Sequence, residues 1–288
     1  MFSKKLVVAT SLAFAISMLG GCASYKDPNG LPKRYNKMSE ANRIGYFMGL
    51  SLKDRPAPEG YDTSKNTLIS DVAFSGAYHG LNHMTGAMDI GSFGFELGLS
   101  LATNILKHEE EEYNQAMMYL PAKDYDSKQS AYVAAMIKMS DHLKAAATKL
   151  GYKTYKTTSY RVFGRDYIVL WVENKRVGCQ QSKKDSERCF LNVSFDDDDM
   201  RDEPFVEASY LGLDFAPSWK IPCLRISQNS PKTSKLEQDM PNILNTLAKQ
   251  LPANTWLYIA PFKLEKNWTA PYISDGTNAY FFVKPQEK

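Results

Sequence analysis

Apolar residues change their spacing along this chain, and the changes mark its elements. A mainly apolar run, Leu6 to Met18, opens it. From about Ser39 to Leu150 apolar residues recur three and four apart, the period of helices buried along one stripe. Beyond Tyr152 they gather in short runs of β-branched and aromatic residues separated by turn formers, the pattern of strands. The chain thus divides into a leader (1–21), a tether and linker with a short helix (22–60), a helical region (61–150) and a sheet domain (151–288).

Ser39 to Leu52 predicts a helix with Ile44, Phe47, Met48 and Leu52 on one side, ending before Arg55-Pro56-Ala57-Pro58. Thr67 to Tyr119 reads as helical but glycine-rich. Gly76 and Gly80 share one stripe, as do Gly94, Gly98 and Ala102, and stripes of small residues let helix backbones approach closely. The expectation is a tight helical hairpin inside the fold, with contact between copies through Gly94, Gly98 and Ala102 as a second use. Glu96 lies mid-run, where a charge costs a bilayer span on the order of 3 kcal/mol. The acidic run around Glu109 to Glu112 marks the end of the stripe, and Pro121 ends the block.

The strongest helix pattern is Ser127 to Leu150, with Asp126 as cap, Gln129 three residues on and Gly151 at the stop. Tyr132, Met136, Met139, Leu143, Ala147 and Leu150 form its buried stripe. Next, Tyr160 to Phe163 and Tyr167 to Val172 predict a hairpin about Gly164-Arg165-Asp166, the second run reading as a central strand buried on both faces. Strands are expected at Phe190 to Phe195, Phe205 to Leu211, Lys220 to Ile226, Trp256 to Ala260 and Ala279 to Val283. A helix from Pro241 to Leu251, capped by Asp239, falls between them. The whole is α+β: a helical, glycine-rich region, then a mainly antiparallel sheet with a few packed helices.

Charge changes the picture at the amino end. Lys4 and Lys5 precede the apolar run, which closes in Leu19-Gly20-Gly21-Cys22. A run of thirteen residues is too short for a span of roughly 20, and the order of charge, apolar core and small residues is that of an export signal. The tetrapeptide resembles the lipobox of bacterial lipoproteins. That resemblance implies a diacylglyceryl group on Cys22, cleavage after Gly21 and anchoring in a membrane, since two or more acyl chains hold a protein there. Ala23 and Ser24, where an aspartate would retain the protein at the inner membrane, point to the outer membrane, facing the periplasm. Partners are then the membrane itself and other envelope proteins.

Without Lys4 and Lys5 the formal charge falls from +3 to +1. A near-neutral chain lacks the basic face that displaces phosphate counterions, so nucleic acid is excluded as a partner. Export also places the cysteines in an oxidising space. Cys179 and Cys189 flank the polar stretch Gln180 to Arg188 and are expected to bridge a hairpin, with a pairing of Cys223 to either as the alternative. A bridge over a loop this short is worth roughly 3 kcal/mol. Cys223 otherwise reads as a small buried hydrophobe.

Three constellations could carry chemistry. His79 and His83 have the helical spacing of zinc ligands, but position 80 is glycine where a metalloprotease needs glutamate, and a third ligand would have to come from Asp89, Glu96 or farther away. Asp196 to Asp199 with Asp202 and Glu203 could hold calcium weakly, yet the run lacks the order of a calcium loop and reads as a solvated turn. Trp219, Trp256, Trp268 and Tyr272 could form an aromatic platform for sugar or peptide, or ordinary core. No nucleophile elbow, phosphate loop or dinucleotide fingerprint is present. The sequence therefore favours a non-enzymatic lipoprotein acting through protein contacts, without a cofactor; a tethered metal-dependent hydrolase and a cell-wall binder are the rivals.

Overall fold

The structure, a computed structural model, describes residues 35–50, 52–56, 67–68, 113–162, 164–182, 184, 187–196, 217–264, 267–268 and 270–285. Cys22, the glycine stripes with Gly94, Gly98 and Ala102, His79, His83, Asp197 to Glu203 and the expected strand Phe205 to Leu211 lie outside them.

Among the described residues the fold is α+β, with one nine-stranded sheet. Its strands are β1 (Thr67–Leu68), β2 (Asn114–Pro121), β3 (Lys153–Val162), β4 (Arg165–Glu173), β5 (Cys189–Asp196), β6 (Ser218–Asn229), β7 (Thr255–Ile259), β10 (Tyr272–Ser274) and β11 (Asn278–Phe281). They run in the order β1-β11-β10-β7-β2-β6-β5-β4-β3, every pair antiparallel. Two short strands, β8 (Lys263–Leu264) and β9 (Asn267–Trp268), pair separately.

The helical reading of Thr67 to Tyr119 is corrected at its two described ends, by β1 at Thr67–Leu68 and by β2 from Asn114, while residues 69–112 lie outside the described residues. β2 lies between β6 and β7 and is buried from Gln115 to Leu120. A strand covered on both faces shows a continuous apolar run, which periodicity does not distinguish from buried helix. Its alternation nevertheless organises the interior. Ala116, Met118 and Leu120 enter one core, while Met117 and Tyr119 enter another. β7 does the same, sending Leu257 and Ile259 to the first and Trp256 and Tyr258 to the second.

The first core is closed by α2 (Lys128–Lys149) and α3 (Leu236–Ala248), the second by α1 (Glu40–Met48). Ser39 caps α1 by accepting from the Asn42 N–H at 3.0 Å, and Gly49 ends it at φ 79°. Ile44, Phe47, Met48 and Leu52 are all buried. Along α2 the expected stripe is buried from Tyr132 to Ala147, and Leu150 packs against its edge. The cap of α2 is Ser127, in a reciprocal box with Ser130, rather than Asp126 with Gln129. A serine box one residue on offers the same two-way hydrogen bonding of free helix-end donors.

Two further expectations are corrected. β4 is not central: it is second from the β3 edge, and Tyr167, Ile168 and Trp171 are only half-buried. Helix α3 begins at Leu236, so Pro241 lies inside it. The Leu236 N–H donates to Ser234 Oγ at 3.0 Å, which starts the helix before Asp239. Asp239 is instead drawn inward, 7% exposed.

Candidate functional site

The four aromatic positions singled out in the sequence do not share a surface. Trp219 and Tyr272 are buried in the core beneath α2 and α3, and Trp256 is buried in the core beneath α1, on the other side of the sheet. Trp268 lies on β9, paired with Lys263. A sugar platform needs open ring faces, whereas Tyr272 has no exposure and Trp256 stands edge-on to Tyr119 at 6.0 Å. Burial alone pushes the Tyr272 phenol well above its ordinary value.

Cys179 and Cys189 stand at bridging distance, with Cα atoms 5.5 Å apart. Cys179 follows a tight turn at Gly178 and pairs with Asn174, while Cys189 opens β5. Ser234 Oγ lies 3.3 Å from Cys179 Sγ, and the Lys235 N–H donates to the Val177 carbonyl at 2.7 Å. The cysteine loop is therefore seated against the start of α3. Cys223 is buried on β6, 2% exposed.

The first turns of α3 hold a polar node drawn into the interior. Asp239 accepts hydrogen bonds from Tyr152 Oη at 2.6 Å, Arg176 at 3.1 Å and Asn242 Nδ2 at 2.8 Å. Burial, then the hydrogen bond to Asp239, raises the Tyr152 phenol far above its ordinary value. A second node sits in the β10–β11 turn. There burial pushes the Asp275 carboxyl up, but the N–H groups of Asn278 and Thr277 and the Tyr280 hydroxyl outweigh it and hold it low. Both nodes are saturated with internal partners and brace the fold.

Unfilled space lies on the other side of α3. A groove of about 290 Å³ opens between the helix, the end of β6 and the chain leaving β7. Ile226, Met240, Leu244, Pro261 and Phe262 give it an apolar lining, with Gln228 and Glu237 among its polar groups. The last pair of β2 with β6 is Asn114 with Ile226, yet β6 continues to Asn229, so no described strand lies beside 227–229 on that side. The Asn114 side chain closes the notch at its base by accepting from the Ala260 N–H at 3.0 Å.

The polar lining carries donors and acceptors both, with Tyr113, Asn114 and Ser227 beside Gln228 and Glu237. Gln228 Oε1 is buried without a hydrogen-bond partner, a costly state for an amide oxygen. Glu237 is exposed and forms no ion pair among the described residues. Pro241 has no N–H to give the Glu237 carbonyl four residues earlier, which frees a third acceptor. Among the described residues no lysine or arginine lines the space. Sequence reading missed these residues, because a proline placed in a helix's first turn gives no signal, while a proline inside a helix exposes a carbonyl.

Among the described residues no group of three His, Cys, Asp or Glu is placed to hold a metal, and no helix is long and apolar enough to cross a membrane. Comparison with family models, curated proteins and solved structures finds no match.

Proposed function

We propose that this protein is a membrane-tethered envelope lipoprotein, anchored by lipid on Cys22 in the outer membrane and facing the periplasm, that works by contacts with other envelope proteins. The observation that carries the reading is the amino-terminal order Lys4-Lys5, the apolar run to Met18 and Leu19-Gly20-Gly21-Cys22. Residues 23–34 then serve as a spacer between bilayer and folded body. The nine-stranded sheet with a helix layer on each face supports a binding role, because it supplies a rigid frame on which a recessed groove keeps its shape. The paired cysteines suit an oxidising compartment.

Labelling cells with radioactive palmitate tests the anchor. The native chain should take the label and run as the shorter cleaved form, and Cys22→Ser should lose both. Label retained in Cys22→Ser sinks the lipoprotein reading. Fractionation of the native chain away from outer membrane sinks the address alone.

A further inference from the structure

We infer that the outer edge of β3 docks an extended, acidic segment of a partner protein, which adds to the sheet as a further strand and lays apolar side chains against Ile137 of α2 and Tyr160 and Val162 of β3. The inference deepens the proposed contact function and rests on it.

The edge comes first. β3 runs for ten residues, Lys153 to Val162, at one end of the sheet order, and among the described residues it pairs with β4 alone. Its side chains stand in solvent on both faces. Register puts Thr157, Ser159 and Arg161 on the α2 face and Lys156, Tyr160 and Val162 on the other, and all six are exposed. No layer covers them from either side. The edge of such a strand presents main-chain donors and acceptors that an incoming extended chain pairs.

Apolar surface gathers at the same place. Five large apolar side chains are exposed among the described residues, and four of them are Val133 (41%), Ile137 (49%), Tyr160 (45%) and Val162 (41%). Val133 and Ile137 lie roughly 180° and 140° around α2 from His142, whose Nδ1 meets the Gln250 carbonyl just beyond α3. They therefore occupy the flank turned away from α3, toward β3. Tyr132, beside Val133, donates to Asp166 at the tip of the β3–β4 hairpin at 2.8 Å and ties that flank to the strand. Exposed apolar groups that cluster mark contact surfaces, and here they lie on both faces of one edge, where an added strand sends its alternate side chains.

Charge selects the occupant. β3 carries Lys153, Lys156 and Arg161 and no acid. Lys153 and Arg161 face Glu173 and Asp166 at 3.6 Å with side chains 74% and 51% exposed, pairs too wet to spend their charge. Lys156 forms no ion pair among the described residues. A second copy would lay these three cations against the same three, which is how edges are guarded against pairing with themselves. An acidic chain meets them as counter-charges.

The test uses the full mature chain in detergent and a capped fluorescent peptide, Asp-Val-Thr-Val-Thr-Ile-Glu, read by anisotropy. It should bind saturably, and the peptide with lysine at both ends should bind about tenfold more weakly. Methylating alternate backbone nitrogens in one phase or the other gives two further peptides. Because β3 pairs only one edge of the added strand, one of these should bind like the parent and the other about tenfold more weakly. Ile137→Ser, at an exposed position, should weaken the parent about fivefold, and Lys156→Glu should reverse the preference between acidic and lysine peptides. Amide exchange reads the edge directly: the β3 amides turned away from β4 should exchange fast in the free chain and slowly with peptide bound. Slow exchange along all of β3 without peptide, no saturable binding, equal losses from both methylated peptides, a lysine peptide that binds as well as the acidic one, or an affinity unchanged in Ile137→Ser overturns the inference. Protection of β3 that rises with protein concentration alone assigns the edge to a second copy and overturns it too. None of these readings depends on lipid, so their failure is distinct from a failure of the Cys22 anchor.

Discussion

The Tyr152 hydroxyl donates to a carboxylate oxygen of Asp239 at 2.6 Å, joining the turn after α2 to the first turns of α3 across 87 positions of sequence. Asp239 is 9% exposed in its side chain, so the acceptor carries charge into the interior. Arg176, its ionic partner, is 66% exposed and strongly screened by water.

Tyr152→Phe should therefore cost more than removal of the arginine. Deleting the phenol leaves a buried carboxylate short of one donor, a loss of about 2 kcal/mol, while Arg176→Met should cost under about 1 kcal/mol. Urea unfolding of the two variants checks the ranking. Equal losses would mean that the ion pair, not the phenol, holds Asp239.

The same contact makes stability depend on alkaline pH. The folded Tyr152 phenol titrates far above the ordinary value of 10.0, for burial and for its bond to Asp239. Above that value the unfolded chain gives up this proton and the folded chain keeps it. Folding stability is thus fully present below about pH 10 and declines as pH rises beyond it. Tyr272 and Tyr280, both raised, add to the decline. The slope between about pH 10 and 11 should be shallower in Tyr152→Phe than in the native chain, measured by thermal melts at fixed ionic strength.

Legibility in the sequence followed how many faces each element buries. α1 and α2 bury one stripe each, so their stripes and starts were readable within a residue or so, although α1 ends at Met48 and not at Leu52. β2 buries both faces, and Gln115-Ala116-Met117-Met118-Tyr119-Leu120 carries no period to separate strand from helix. β4 has the strongest strand composition yet sits near the edge, since composition reports propensity and not position in a sheet. The paired cysteines were readable because their loop is local. The groove was not, because its lining comes from β6, α3 and the chain after β7, which only the fold brings together.

Gly178 shows what that assembly demands of single residues. Its φ is +77°, and a Cβ there would lie 3.1 Å from the Thr233 carbonyl oxygen. Gly164, at φ +78°, has nothing within 4 Å of the same point. Gly164→Ala should thus lose only the backbone term, about 1 kcal/mol, whereas Gly178→Ala should lose more by pushing the cysteine loop off the start of α3. Matching denaturation midpoints for the two variants would contradict this contact.

The bridge between Cys179 and Cys189 acts on the same junction. Peptide mapping without reductant should recover the two as one linked fragment, and free thiols at both would contradict it. Replacing both by alanine should lower stability by roughly 3 kcal/mol, because the released loop gains conformations chiefly in the unfolded chain. The folded state changes too. Val177 accepts from the Lys235 N–H and Ser234 lies against Cys179, so freeing the loop loosens the first turn of α3. That turn carries Glu237, and Met240 follows one turn later. Amide exchange at Lys235 should accordingly quicken in the alanine pair, since its N–H loses the Val177 carbonyl when the loop is freed. A stability loss with exchange at Lys235 unchanged would show that the bridge acts on the unfolded chain alone.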